Sequence, residues 1–146
     1  MKEKVCLVLN LPHLQNLIKR DPDAYKDEFR MQFRRFESEF DIFKLRPTQD
    51  SDRFTDLVTF ISHVAPYYKS DASQVPMQLL ELLDTQANIL HPDVRAKVLQ
   101  ALILLRNRGL LDPLLLIKLA FRLLDIQDKA MRISLGEYVV NDIKTL

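Results

Sequence analysis

Three histidines and one cysteine are the side chains of this sequence best suited to acid–base, nucleophilic or metal chemistry. His13, His63 and His91 lie far apart, and none has a Cys or Glu at metal-ligand spacing. His13 is expected on a polar helix face, His91 at a helix start, and His63 beside an apolar stripe as a boundary residue. Cys6 sits in the short apolar run Val5-Cys6-Leu7-Val8-Leu9 with no base to activate it, so it reads as a small hydrophobe. A single cysteine forms no internal disulfide, which fits a reducing compartment. The 2 glycines, Gly109 and Gly136, do not make a phosphate-cradling loop. Carboxylates fall before prolines, where they cap helices, or on solvated faces. No catalytic site, metal site, cofactor or small-molecule substrate follows from these residues, and the expected class is a binding protein rather than an enzyme.

Cations remain. Lys19 and Arg20 stand together at a helix C-terminus, a place the helix dipole favours. Arg95 and Arg106 are three turns apart and so share one side of a helix. Lys118, Arg122, Lys129 and Arg132 follow on later segments, together with Arg108. If successive helices stack, such residues line up as a ridge able to touch RNA phosphates or acidic proteins. Lys19, Arg20, Arg95, Arg106, Lys118, Arg122, Lys129 and Arg132 are therefore the candidate partner or RNA contacts. The competing reading is an ordinary solvated face. Net charge does not decide between them, because 21 basic residues face 20 acidic ones.

The elements that must carry these residues read as helices. Gly is scarce, and the 7 prolines separate long apolar runs, which favours helices with sharp starts over tight β-turns. Asn10 caps a helix over 11–19, with Pro12 in its first turn. Asp21-Pro22 looks like the cap and first residue of a second helix reaching residue 45. On it Tyr25, Phe29, Phe33, Phe36, Phe40 and Phe43 recur every three or four positions, one narrow stripe at about 100° per residue. Six rings in a stripe without interleaved cations are expected to be core rather than a base-stacking platform. A third helix spans 52–64 and ends at Pro66, a fourth spans 76–88, and 67–73 reads as a loop. The fifth opens at His91-Pro92 and closes at Gly109, a C-cap glycine. It is apolar around most of its circumference, so it needs cover on several sides. Asp112-Pro113 and Asp128 start the sixth and seventh helices.

Helix starts recur at intervals near 40 residues: Pro76 to Pro113 is 37, and Asp52 to Pro92 is 40. That spacing predicts an all-α, HEAT- or armadillo-like helical-repeat stack, right-handed and of about seven helices, as one domain over 1–146. Each pair in such a stack buries its inner face on a neighbour. The segment after Asp128 shows no polar cap, so a truncated array or a missing partner is expected. No apolar run approaches 18 residues, and the run near Cys6 is too short and too interrupted for a leader.

Several segments resemble one family. The stretch NLPHLQNLIKRDP from Asn10 to Pro22 is similar to the opening signature of the severe-depolymerisation-of-actin family. YKDEF at 25–29, IFKL at 42–45, ALILLRN at 101–107 and VNDIK at 140–144 are similar to it in the same order. The resemblance implies the N-terminal region of a helical-repeat protein with no catalytic residues. It implies a role in large (60S) ribosomal subunit assembly and pre-ribosome export, in the nucleolus and nucleus, with a link to actin organisation. It implies pre-60S particle proteins and pre-rRNA as partners, and no membrane. The family's charged low-complexity segments and basic tail are absent here, so a fragment, split product or truncated relative is expected. The alternative reading is a generic helical adaptor for cytoskeletal or transport partners.

Overall fold

The computed structural model describes residues 10–49, 51–126 and 128–145, so Cys6 and its apolar run lie outside the described residues. Among those residues there are seven α-helices and no strand. They are α1 (Leu11–Arg20), α2 (Lys26–Leu45), α3 (Asp52–Val64), α4 (Val75–Gln86), α5 (Pro92–Asn107), α6 (Pro113–Leu123) and α7 (Lys129–Thr145). None is long and apolar enough to cross a membrane.

The starts are fixed by local chemistry. At an N-terminus the first amide N–H groups have no carbonyl partner, so a side-chain oxygen or nitrogen supplies one. Asn10 Oδ1 accepts from the His13 amide at 3.1 Å, and Ser51 Oγ from Phe54 at 3.3 Å. His91 Nδ1 accepts from Asp93 at 3.2 Å, Asp112 Oδ1 from Leu114 at 3.0 Å, and Asp128 Oδ1 from Met131 at 3.1 Å. Pro12, Pro76, Pro92 and Pro113 occupy first turns, where a missing N–H costs nothing.

One start differs from the sequence expectation. Asp21 Oδ1 accepts from the Ala24 amide at 3.3 Å, but it closes only a turn, and α2 begins at Lys26. The Pro22 carbonyl, which a continuous helix would offer to residue 26, instead accepts from the Tyr68 hydroxyl at 2.6 Å. Tyr68 is also buried and stacks on Phe29 with centroids 4.1 Å apart. The connector after α3 is thus a packed element.

The end of α5 is a Schellman motif. Gly109 has φ 77, its amide donates to the Arg106 carbonyl, and the Leu110 amide donates to Leu105. A Cβ at Gly109 would meet nothing within 4 Å, so only the left-handed backbone opposes a side chain there. Gly109→Ala is expected to cost about 1 kcal/mol, measured as a shift in urea midpoint with unchanged slope.

The helices stack in two layers. α2, α4 and α6 form one layer; α3, α5 and α7 form the other, with α1 packed on α3. Successive pairs are α2/α3, α4/α5 and α6/α7. Four rings of the α2 stripe (Phe29, Phe36, Phe40 and Phe43) are buried, and Phe54 of α3 inserts among three of them. Tyr25 and Phe33 are half-buried at the stripe's edge. α5 is the central element, packed against α3, α4, α6 and α7. That answers its need for cover, although Ile103 and Leu104 stay half-exposed.

Candidate interaction surface and the ion pairs beneath it

The eight candidate cations divide into two groups. Lys19, Arg20, Lys118, Lys129 and Arg132 are exposed. Lys19 and Arg20 close α1, Lys118 lies on α6, and Lys129 and Arg132 lie in the first turn of α7. Arg95, Arg106 and Arg122 instead bridge neighbouring helices.

Arg95 corrects the expectation of an exposed ridge, since it is 6% exposed. Its Nη1 donates to the Ala87 carbonyl, just past the end of α4, at 2.9 Å. Its Nη2 donates to Asp128 Oδ2, also at 2.9 Å. Asp128 spends its other oxygen capping α7. One guanidinium therefore ties together the end of α4, the body of α5 and the start of α7. A planar fork with several donors is suited to that task, and a lysine ammonium is not. Arg106, further along α5, pairs with the buried Asp142 of α7. Asp142 also accepts from the Tyr138 hydroxyl at 3.2 Å. Arg122 of α6 meets Asp84 of α4 at 2.8 Å, with both side chains well exposed, so this pair contributes little.

These pairs set the local proton affinities. The Asp128 carboxyl is held below its ordinary value, chiefly by the Met131 amide and then by Arg95, against an opposing effect of burial. Burial, followed by the charge and hydrogen bond of Asp142, pushes Tyr138 up to about 12. His63 is lowered by burial and by the positive charge of Arg108. A carboxyl whose folded value is depressed stabilises the fold fully above its unfolded value of about 3.9. That contribution disappears as pH falls through the depressed folded value. Asp128→Asn keeps a capping side chain but removes the charge. The stability difference between the native chain and this variant is therefore expected to shrink steadily as urea titrations move from pH 6 to pH 3.

Polar residues do gather in one open groove, between α5 and α7, of about 430 Å³. Gln100, Asn107, Ser134 and Asn141 line it, and the Arg106, Tyr138 and Asp142 group lies at its base. Arg106, Tyr138 and Asp142 are engaged with one another, and the arrangement offers a surface for contact. Among the described residues, no group of three or more His, Cys, Asp or Glu is placed to hold a metal ion.

The ion pairs join positions about one repeat apart: the partners of Arg95, Arg106 and Arg122 stand 33, 36 and 38 residues away. Spacing alone does not single these arginines out, because the exposed Arg20, Lys118 and Lys129 also have an acidic residue 36 or 37 positions away, in Asp56, Glu81 and Asp93.

Known proteins agree with this architecture. Residues 60–146 match the family model described as SDA1, HEAT repeat. The chain is 41% identical over 137 residues to Protein SDA1 homolog of Dictyostelium discoideum, and 42% identical over 137 residues to that of Drosophila melanogaster. It is 35% identical over 125 residues to Protein sda1 of Schizosaccharomyces pombe. These alignments cover 94%, 94% and 84% of this chain but 18%, 19% and 17% of the relatives. The chain thus spans about a fifth of the length of the curated relatives it matches. A repeat-family match over more than half of the sequence, on a two-layered stack of helix pairs, shows that the chain belongs to the SDA1 HEAT-repeat family.

Proposed function

We propose that residues 1–146 act as one non-catalytic scaffold domain in ribosome biogenesis, within assembly and nuclear export of the large (60S) subunit. The observation that carries this reading is membership of the SDA1 family, whose resemblance implies pre-60S particles in the nucleolus and nucleus. The geometry supports it in a second way, because a stack of helix pairs presents long exposed edges to large partners. Lys19, Arg20, Lys118, Lys129 and Arg132 are the contacts to pre-60S proteins or pre-rRNA. Arg122 is half-engaged with Asp84, while Arg95 and Arg106 hold the stack and serve the surface only indirectly. The family's link to actin organisation rests on the same resemblance and on no separate surface.

The test is co-purification with precursor large subunits. Reversing the five exposed cations to Glu is expected to remove the chain from these particles. Thermal unfolding should shift only modestly, since each exposed substitution of this kind usually alters stability by less than about 0.5 kcal/mol. If pre-rRNA is the contact, the native chain's retention falls steeply with salt and the variant's does not. A native chain that never enters precursor particles would overturn the reading.

A further inference from the structure

We propose that the face of α3, α5 and α7 is a track for a polyproline-II segment of a partner protein whose side chains run basic, acidic, basic at every third position. This surface is distinct from the exposed cations above, and its occupation does not depend on entry into pre-ribosomes.

The track consists of two grooves that meet on α5. The first, of about 260 Å³, lies between α1, α3 and α5 and is lined by Gln15, Asp56, Thr59 and Lys97 together with Leu11 and Phe60. The second is the polar groove between α5 and α7. Lys97 of the first and Gln100 of the second stand three positions apart, about 60° around the exposed side of α5. One groove therefore leads into the other.

Each helix of this layer gives the track one exposed charged residue. Asp56, Lys97 and Glu137 are 41 and 40 positions apart, about one repeat, and they alternate in sign. Among the described residues none of the three makes an ion pair, although Asp56 and Lys97 share a groove. Arg106 in the second groove is taken by Asp142. Uncharged groups recur in the same way: Gln100 and Ser134 are 34 positions apart, as are Asn107 and Asn141. All four are exposed, and among the described residues their side chains make no hydrogen bond. A side-chain amide both donates and accepts.

Spacing and charge identify the occupant. Packed helices lie about 8–10 Å apart. A polyproline-II strand rises about 3.1 Å per residue with three residues per turn, so positions i, i+3 and i+6 point the same way about 9 Å apart. A cation opposite Asp56, a carboxylate opposite Lys97 and a second cation opposite Glu137 then fall one per helix. Such a strand has no internal hydrogen bonds, which leaves its backbone groups to the amides of the track. A nucleic-acid backbone carries one sign throughout and would be repelled at Asp56 and Glu137. The exposed cations also lie off the track. Lys118 is on α6 in the other layer, and Lys129 and Arg132 fall on the far side of α7 from Ser134 and Asn141 at about 100° per residue.

Amide chemical shifts of the 146-residue chain test the assignment. The probe is the acetylated, amidated peptide Ser-Lys-Pro-Ser-Glu-Pro-Ser-Lys-Pro, whose charges read alike in either direction. Saturable shifts are expected at Asp56, Lys97, Gln100, Asn107, Ser134 and Asn141, with α2 and α6 unchanged. The same peptide reordered to Lys, Lys, Glu should bind about fivefold more weakly, as exposed charge pairs allow. Lys97→Glu, an exposed substitution with an unchanged thermal midpoint, should bring the two peptides to equal affinity. Equal affinities in the native chain, or no saturable shift at these residues, would overturn the assignment. So would shifts there from a nine-nucleotide oligouridylate in place of the peptide, which would make the track a nucleic-acid surface. Shifts that grow with the concentration of the chain alone would overturn it too, because a second copy would then fill the grooves.

Discussion

Replacing Arg95 by methionine is expected to destabilise the chain by about 3–5 kcal/mol, the cost of leaving a partner charge in a largely buried pair uncompensated. Methionine retains most of the side-chain volume, so the loss belongs to the guanidinium. Two acceptors lose their donor at once: the Ala87 carbonyl at the end of α4 and the Asp128 carboxylate at the start of α7. For a chain of this length the thermal midpoint should fall by roughly 10 °C or more. Arg95→Met with Asp128→Asn should recover part of that loss, because the uncompensated charge is gone while an amide still caps α7. The four stabilities form a double-mutant cycle. A coupling near zero would show that Arg95 acts through the Ala87 carbonyl and packing rather than through Asp128. Arg95 is consequently a poor place to probe a partner surface, since charge reversal there would unsettle the α4–α5–α7 junction before it altered any contact.

Phe54→Ala is the other large effect, expected at about 4 kcal/mol. Phe54 is fully buried, and its ring lies 4.5 Å from Phe43 in a stacked arrangement and 5.3 Å from Phe40 edge to face. A third contact, to Phe36, is stacked at 6.3 Å. Truncation opens a void among side chains of α2, which cannot close without moving the α2/α3 pair. Phe33→Ala supplies the contrast. Phe33 is half-buried and touches only rings of its own helix, Phe29 and Phe36, so about 1–2 kcal/mol is expected. Equal losses at the two positions in urea unfolding would contradict a core centred on the α2/α3 seam.

What could be read in the sequence was whatever local chemistry decides. Asn10, His91-Pro92, Asp112-Pro113 and Asp128 announce helix starts because a cap and its amide lie within three residues of each other. Gly109 announces a helix end because only its backbone conformation is unusual. The ring stripe is legible because helical periodicity converts spacing directly into a face. Distant pairing escapes such reasoning. The start of α2 moved from residue 22 to Lys26 because Tyr68, 46 residues away, takes the Pro22 carbonyl. Arg95 moved from the expected ridge to the interior because Asp128 waits for it at the next repeat. Sequence spacing placed Arg95 and Arg106 on one side of α5 correctly, but that side faces α7 rather than solvent.

Lysine cross-linking of the chain within purified pre-60S particles tests the central claim most directly. A docking surface at the exposed cations predicts links from Lys19, Lys118 or Lys129 to large-subunit proteins or assembly factors, with α2–α3 remaining folded. A chain that fractionates away from these particles, with those lysines linked only to cytoskeletal or transport proteins, would contradict it.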